Sequence, residues 1–171
     1  PAFLRFPGGC IIEGWDYESA YNWKDSIGTG RNGLPLEFNG KFGDVAARKY
    51  AVNLWTNPDG TEDPQPSYMS YGLGFYEYFQ LAEDLGAIGV PVINCGIYCQ
   101  MRGKGGIDTL SDEFKQYVQD MHDLVEFCRG DENTTWGKVR ASLGHEEPFE
   151  LKYICIGNEQ EGEVYYERYE I

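Results

Sequence analysis

A glutamate that directly follows a buried-strand pattern is the side chain of this sequence best placed to do chemistry. Residues 151–156 are mostly apolar, with β-branched and aromatic side chains, which is typical of a strand buried on both faces. Gly157 ends this run, and Asn158 and Glu159 follow where the strand should meet its next loop. Barrels of parallel strands place their catalytic side chains at the carboxyl ends of the strands. The alternative is a glutamate that only caps the strand and pairs with a neighbouring arginine.

The elements that must position this glutamate alternate between strand and helix patterns. The predicted strands are residues 3–6, 90–95 and 151–156, and the predicted helices are residues 73–85 and 112–128. Such alternation favours an α/β fold with parallel strands and right-handed crossovers. The pattern alone fits an open doubly wound sheet as well as an arc of a barrel. No Gly-x-Gly-x-x-Gly motif follows a strand, which argues against a nucleotide-binding version.

Apolar side chains at helical spacing define one buried face on each predicted helix. The first face comprises Phe75, Tyr78, Phe79, Ala82 and Leu85, and the second comprises Phe114, Tyr117, Val118, Met121, Leu124, Val125 and Cys128. Gly86 is a suitable C′ residue for the first helix. Ser111 is the predicted N-cap of the second helix, and His122 lies outside its apolar stripe, which indicates a solvated side chain. Residues 130–147 are rich in turn-forming residues, and a last helix begins near Val164.

Residues 13–70 lack long periodic segments but contain many aromatic side chains. Because structureless segments of this length are uncommon and usually functional, we expect an ordered, aromatic-rich loop over the mouth of the sheet. Trp15, Trp23 and Trp55 would then lie at the same end as Glu159, where Trp15 and Trp23 would contact the substrate. The alternative is that these indoles fill the opposite end as core. Asn94, at the end of its predicted strand, could face a ligand or cap the next turn.

Composition and charge exclude several classes of partner. The chain has 171 residues and a net charge of -14, so it lacks the basic surface that nucleic acids and anionic membranes require. The five cysteines are not in Cys-x-x-Cys spacing and both histidines are isolated, which argues against a zinc site. We expect mostly reduced cysteines, with one disulfide left open. No apolar run is long enough for a membrane span.

Several motifs, in a fixed order, carry a family resemblance. They are Leu4-Arg5-Phe6-Pro7-Gly8-Gly9-Cys10 with Glu13-Gly14, Asn22-Trp23-Lys24-Asp25-Ser26-Ile27-Gly28, Tyr71-Gly72-Leu73-Gly74, Thr135-Trp136-Gly137-Lys138-Val139-Arg140, and the segment 151–159. The series resembles the catalytic barrel of the family 51 glycoside hydrolases, the α-L-arabinofuranosidases. The likeness runs over nearly the whole chain and implies a fragment, residues 1–171, of a (β/α)8 barrel. The three predicted strands would be its second, third and fourth.

The resemblance implies roles for individual side chains. Glu159 would be the acid/base of a retaining glycosidase, which uses two carboxyl groups about 5–5.5 Å apart. Asn158 would bind the 2-hydroxyl of the sugar, and Arg5 would lie near the pocket. Cys10 stands where many relatives carry an asparagine that touches substrate, and a thiol cannot make the same hydrogen bonds. Relatives supply the nucleophile from their seventh strand, for which this sequence offers no counterpart, although Glu13 could reach the same mouth as a less favoured substitute.

The implied activity is the hydrolysis of terminal arabinofuranosyl groups of plant polysaccharides such as arabinan or arabinoxylan. This fragment alone should be inactive. The carboxylate pair suffices, so no cofactor or metal is implied. The implied partners are an arabinose-containing oligo- or polysaccharide and whatever covers the open sheet edges, either the remainder of the barrel or another copy. The sequence leaves a secreted or periplasmic location open.

Three alternatives remain open at this point. Endo-acting glucanases and xylanases of the same clan share the Asn-Glu pair. A non-catalytic carbohydrate-binding module would hold sugar on the aromatic loop without cleaving it. An open-sheet α/β domain would have no function with sugars at all.

Overall fold

The computed structural model describes residues 2–28, 51–52, 68–69, 72–101 and 105–171. In chain order the described elements are β1 Phe3–Phe6, α1 Cys10–Glu13, α2 Trp23–Ser26, β2 Ala51–Val52, β3 Tyr68–Met69, α3 Phe75–Asp84, β4 Ile88–Ile93, α4 Asp112–Arg129, α5 Thr135–Ser142, β5 Cys155–Ile156 and α6 Glu163–Tyr169. The α/β class expected from the sequence is therefore confirmed. None of the described helices has the length and apolar character that a membrane span requires.

The central sheet consists of three parallel strands in the order β1-β4-β5. Phe6 is opposite Pro91, and Ile93 is opposite Ile156, so the three carboxyl ends lie at the same edge. Strands β2 and β3 form a separate antiparallel pair. This arrangement confirms the predicted adjacency, order and direction of the three main strands.

The last strand corrects the sequence interpretation in length and burial. Of the predicted residues 151–156, only Cys155–Ile156 forms a strand, with an isolated bridge between Leu151 and Gly89. Tyr153 is 62% exposed, so the segment is not buried on both faces. The physical reason is that β5 pairs with β4 alone in the described sheet, which leaves its other edge uncovered.

Aromatic side chains join the strands and helices in one hydrophobic core. Phe6 of β1 meets Phe75 and Phe79 of α3 edge to face, with ring centroids 5.3 and 5.0 Å apart. Phe149 stacks on Phe79 at 5.1 Å and lies 6.3 Å from Phe127 of α4. Such aromatic pairs contribute about 0.5–1.5 kcal/mol each beyond the area they bury. The core therefore fixes β1 against the helices and holds the sheet edge in place.

Two helix faces differ from the predicted stripes at single positions. In α3, Leu85 is 46% exposed, and Tyr76 is buried instead because its hydroxyl donates to the Leu143 carbonyl at 3.0 Å. In α4, Val125 is exposed and Phe127 is buried. Tyr76 bonds to the residue that follows α5, and the Phe127 ring contacts Trp23 and Phe149. Helical periodicity within one segment cannot foresee such distant contacts. Helix ends agree with the prediction: the Ser111 hydroxyl accepts from the Phe114 N–H at 3.2 Å, and Gly86 has a φ of 60°.

Helix α5 was missed by the sequence analysis, which assigned its residues to turns. Its eight residues begin at an N-cap, where the Thr134 hydroxyl accepts from the Gly137 N–H at 3.1 Å. Its buried Arg140 donates to the carbonyl oxygens of Phe127 at 2.6 Å and Glu146 at 2.9 Å. A short helix that contains glycine and buries an arginine has only a weak apolar period, which explains the miss.

A buried ion network links α2 to α4. We call Asn22, Lys24, Asp120 and Asp123 the Lys24 network. The Lys24 ammonium lies 2.7 Å from an Asp120 oxygen and 2.5 Å from an Asp123 oxygen, and the Asn22 amide donates to Asp120 at 2.6 Å. Burial of a lysine requires paired charges of this kind. The motif 22–28 therefore belongs to the architecture of the core.

Candidate active site

The carboxyl edge of the sheet brings the ends of β1, β4 and β5 together. Beyond β5, the Gly157 N–H donates to the Ile93 carbonyl at 2.7 Å and continues the pairing with β4 for one more residue. Gly157 has a φ of 77°, and a side chain there would meet the Cys95 sulfur at 2.9 Å. This turn directs the next two residues, Asn158 and Glu159, over the end of the sheet.

Asn158 connects the two outer strands of the sheet. Its Oδ1 accepts hydrogen bonds from Arg5 Nη2 at 2.9 Å and from the Gly9 N–H at 3.0 Å. Two donors on one atom identify that atom as the oxygen of the amide. The side chain is 5% exposed, and its Nδ2 is buried with no hydrogen-bond partner among the described residues. Since buried donors are nearly always paired, this N–H₂ group is available to a ligand.

Gly8 allows Arg5 to reach Asn158. Its φ of 71° lies in the left-handed region that favours glycine. A Cβ atom on Gly8 would overlap Arg5 Nη1 closely, because the guanidinium packs directly on the glycine backbone. The Pro-Gly-Gly sequence after β1 is therefore required by the position of the arginine, and it presents the Gly9 N–H to the same asparagine.

Glu159 has an uncommon backbone conformation. Its φ of 53° is the only positive value at a non-glycine residue of the described chain. Such a conformation costs about 1–3 kcal/mol and is concentrated at functional sites. The side chain is exposed at the carboxyl edge beside Asn158. The strand, Gly157 and the hydrogen bonds of Asn158 hold the backbone in place.

Glu13 supplies a second carboxyl group at this edge. It ends α1, it is 3% exposed, and its Oε1 accepts a hydrogen bond from the Gln160 side-chain amide. Burial raises the pKa of Glu13, and the negative charge of Glu159 raises it further. Hydrogen bonds from Gln160 and from the thiols of Cys99 and Cys10 act in the opposite direction. The carboxyl group is consequently easier to protonate than an ordinary glutamate.

Cys10 and Cys99 lie beside Glu13 at this edge of the sheet. Burial, the Cys99 thiol and the charges of Glu13 and Glu159 raise the pKa of Cys10 to about 12. One sulfur of each cysteine and a Glu13 oxygen lie within 4.8 Å of one another. All five cysteines are free thiols. Local spacings of metal-ligating residues do not reveal this cluster, because Cys99 is far from Cys10 and Glu13 in the sequence.

Comparison with known proteins gives the family of this chain. The model of the alpha-L-arabinofuranosidase 1 domain matches residues 1–171. The chain belongs to this family. The resemblance to family 51 glycoside hydrolases, first indicated by the order of the motifs, is thereby confirmed.

Curated relatives in the arabinofuranosidase family include a plant protein and a bacterial protein. The chain is 43% identical over 166 residues to Alpha-L-arabinofuranosidase 1 of Arabidopsis thaliana, which covers 97% of this chain and 20% of that protein. It is 35% identical over 173 residues to an extracellular exo-alpha-L-arabinofuranosidase of Streptomyces chartreusis, covering 94% of this chain and 18% of the relative. The chain thus spans about one fifth of the length of the curated relatives it matches.

Solved structures of arabinofuranosidases share the fold. An arabinose-bound GH51 α-L-arabinofuranosidase superposes with a TM-score of 0.64 at 27% identity, over 93% of this chain and 21% of that structure. The arabinofuranosidase of Thermotoga maritima gives a TM-score of 0.59 at 23% identity, which shows similarity of fold alone.

Asn94 in this arabinofuranosidase-family chain is engaged with the backbone. Its Nδ2 donates to the carbonyl oxygens of Ile12 at 2.7 Å and Glu13 at 3.2 Å, and its Oδ1 accepts from the Gly96 N–H at 2.6 Å. These bonds agree with the alternative in which Asn94 caps the next turn. They also fix the end of α1, and so the side chain of Glu13 at the pocket.

Trp23 is not exposed at the mouth of the sheet, where the sequence predicted it. Trp23 is 2% exposed, contacts Trp136 and Phe127 at centroid distances of 5.0 and 5.4 Å, and donates to the Asp120 carbonyl at 2.9 Å. This placement corrects the prediction that Trp23 binds substrate, because its ring is enclosed by core. Trp15 is half-buried in the loop after Glu13, and Trp55 lies outside the described residues.

Three further contributors to the site were not identified from the sequence. Gln160 holds the carboxylate of Glu13, Cys99 is fully buried beside Cys10 and Glu13, and the Gly9 N–H fixes Asn158. Gln160 directly follows the Asn-Glu pair, and this position was the available signal. Cys99 gave none, since nothing local relates it to Cys10.

Proposed function

We propose that this chain is part of the catalytic domain of a retaining α-L-arabinofuranosidase that releases terminal arabinofuranosyl groups from plant polysaccharides. The observation that carries the proposal is the pair Asn158 and Glu159 at the carboxyl edge. A buried amide with an unpaired donor lies beside a carboxyl group held in an uncommon backbone conformation. The names of the relatives favour arabinofuranosidase over the endo-acting glucanases and xylanases.

The barrel is the second part of the proposal. Three parallel strands in sequential order, with α3 and α4 in the crossovers, are compatible with the second to fourth strands of a (β/α)8 barrel. The remaining strands would come from the larger part of the relatives' length. A carbohydrate-binding module without catalysis would not require an acid at a strand end.

Glu159 would act twice in the reaction. It first donates a proton to the oxygen of the leaving sugar while the nucleophile forms a bond to the anomeric carbon. It then takes a proton from the water that displaces the nucleophile. Asn158 Nδ2 would donate a hydrogen bond to the 2-hydroxyl of the sugar. Since Glu159 is exposed in the described chain, its burial would have to come from the rest of the barrel and the bound sugar.

Glu13 suits a different task from that of the nucleophile. A nucleophile has to be ionised, whereas burial raises the pKa of Glu13. Its oxygen is also bonded to the Gln160 amide. We assign Glu13 to the wall of the sugar pocket and expect the nucleophile from a later strand.

The substitution Glu159→Gln in the complete protein tests this function. It removes proton donation and leaves the shape nearly unchanged. The rate with a poor leaving group should fall by about 10²–10⁴-fold, the usual contribution of general acid catalysis. The first step on an aryl arabinoside with an acidic phenol should suffer much less, because that leaving group hardly needs a proton. Azide, which needs no base, should then restore turnover.

The neighbouring substitution Glu161→Gln is the matched control. Glu161 is an exposed acid two residues farther along, and its loss should leave both kinds of substrate nearly unaffected. Equal losses on good and poor leaving groups in Glu159→Gln, together with no azide rescue, would remove Glu159 as the acid/base.

A further inference from the structure

Two thiols and a carboxylate converge beside the proposed sugar pocket. Cys10 and Glu13 are three residues apart on α1, so their side chains share one face of the helix. Cys99 comes from a distant loop, which is tied to the same place by a hydrogen bond from its N–H to the Gly14 carbonyl at 2.8 Å. The site is therefore built from two segments that the backbone holds together.

The cluster is enclosed and acidic. Cys99 is 0% exposed and Glu13 is 3% exposed, while Cys10 is half-buried and forms the open side. Glu159 adds a further carboxylate whose charge acts on both Cys10 and Glu13. A cation bound by Cys10, Glu13 and Cys99 would offset the negative charge that these three ligands acquire when they lose their protons.

The separation of the ligand atoms fits one class of cation. All three lie within 4.8 Å of one another. Two thiolates on a tetrahedral Zn²⁺ at about 2.3 Å are about 3.8 Å apart, so each pair needs to close by no more than about 1 Å. Thiolate sulfur selects Zn²⁺ or Cd²⁺ over Mg²⁺ and Ca²⁺, which prefer oxygen. The geometry points to a binding site for a thiophilic divalent cation, formed by Cys10, Glu13 and Cys99.

Binding at this site would have a consequence for catalysis, which rests on the proposed function. The cation would be bound through the Glu13 carboxylate and lie beside Glu159, where the sugar is expected. Each thiol that ligates it would release its proton. A metal in this position should therefore inhibit the enzyme by competing with substrate, raising KM more than it lowers kcat.

Titration of the complete, thiol-reduced protein with Cd²⁺ tests the site. A cadmium–thiolate charge-transfer band in the ultraviolet should grow until one equivalent of Cd²⁺ is bound. Excess Zn²⁺ should displace the Cd²⁺ and remove the band. Cys10→Ser and Cys99→Ser should each weaken Cd²⁺ binding by at least about 10–100-fold. Mutating a residue that only hydrogen-bonds to a metal ligand already weakens binding by that much. Cys155→Ser is the matched control, because it removes a half-buried thiol outside the cluster and should keep the band.

The choice of variants and readouts separates misfolding of a variant from the absence of a metal site. Cys10 is half-buried, so its serine variant should fold even if the Cys99 variant does not. Absence of the band in the reduced wild-type protein would overturn the proposal, as would equal loss in Cys155→Ser. The band does not depend on enzymatic activity, so it tests the metal site independently of the proposed function. Binding without inhibition of an active enzyme would overturn the placement of the metal in the sugar pocket.

Discussion

Two buried polar clusters in this chain differ in how they use their hydrogen-bonding groups. In the Lys24 network, the ammonium group contacts both Asp120 and Asp123, and the Asn22 amide donates to Asp120. Gln116 donates a further hydrogen bond to Asp120 at 2.8 Å. Opposite charges and matched donors satisfy one another within the protein, so the cluster stabilises the fold by itself.

The cluster at the carboxyl edge is arranged differently. The Asn158 side-chain oxygen accepts hydrogen bonds from Arg5 and from the Gly9 N–H. Its buried side-chain nitrogen has no hydrogen-bond partner among the described residues. Burial and the negative charge of Glu159 raise the pKa of Glu13, and no cation among the described residues pairs with either carboxyl group. Burial alone therefore does not distinguish a functional residue from a structural one. A buried hydrogen-bond donor without a partner, and a buried carboxyl group without a cation, do point to a functional site.

The largest expected effect on stability comes from breaking the Lys24 network. Lys24→Met leaves the carboxylates of Asp120 and Asp123 buried without their cation, which should lower the free energy of unfolding by about 3–5 kcal/mol. Urea denaturation of the complete protein measures the change. The control is Lys115→Met, whose ion pair with Asp112 is exposed and should matter little. Equal losses of stability in the two variants would contradict the stabilising role of the Lys24 network.

A pair of asparagine substitutions should separate the two kinds of cluster. Asn158→Asp keeps the acceptor for Arg5 and Gly9 but removes the free donor, so kcat/KM should fall by about 10²–10³-fold with little loss of stability. Asn94→Asp turns a carboxylate oxygen toward the Ile12 and Glu13 carbonyls and should destabilise by about 1–3 kcal/mol. Arabinoside hydrolysis and thermal unfolding, measured on both variants, should give opposite patterns. If Asn158→Asp mainly lost stability, its nitrogen would be structural.

Substitutions at the neighbouring glycines Gly8 and Gly9 test whether Arg5 supports the site through Asn158. Gly8→Ala and Gly9→Ala both place a side chain at a positive φ that favours glycine, which costs about 1–3 kcal/mol. Only the Gly8 variant also displaces the guanidinium from Asn158, since a Cβ on Gly9 meets nothing within 4 Å. We expect kcat/KM to be about fivefold to tenfold lower for Gly8→Ala than for Gly9→Ala, the worth of one hydrogen bond. Equal rates would show that Arg5 does not support the site.

The smallest effect is the pH dependence contributed by Glu13. Its pKa in the folded chain is raised above the ordinary 4.5, so the folded state holds this proton more tightly than the unfolded chain. Stability should therefore fall as pH rises from 4.5 through the folded pKa. Glu13→Gln can still accept from Gln160, and it should flatten this slope and unfold at a higher temperature at neutral pH. Melting curves across this pH range measure both, and an unchanged slope would contradict a buried, ionisable Glu13.

Local periodicity in the sequence determined much of the fold. The three parallel strands, the helices α3 and α4, the Ser111 cap and the position of Glu159 after a strand were all predicted correctly in kind and order. These features depend on residues within one or two turns of each other, where propensity, capping and apolar spacing act directly. The order of the motifs likewise indicated the family.

Contacts between distant segments were decided only by the tertiary structure. The bond from Arg5 to Asn158, the enclosure of Trp23 and the meeting of Cys10 with Cys99 each join residues far apart in the sequence. A tryptophan in a polar, irregular segment has the same local pattern whether it covers a pocket or fills a core. The difference arises from which helices pack against it, because burial and hydrogen bonding depend on neighbours in space. For the same reason, the sequence placed Asn158 at the site, but only the fold showed which end of its amide lacks a partner among the described residues.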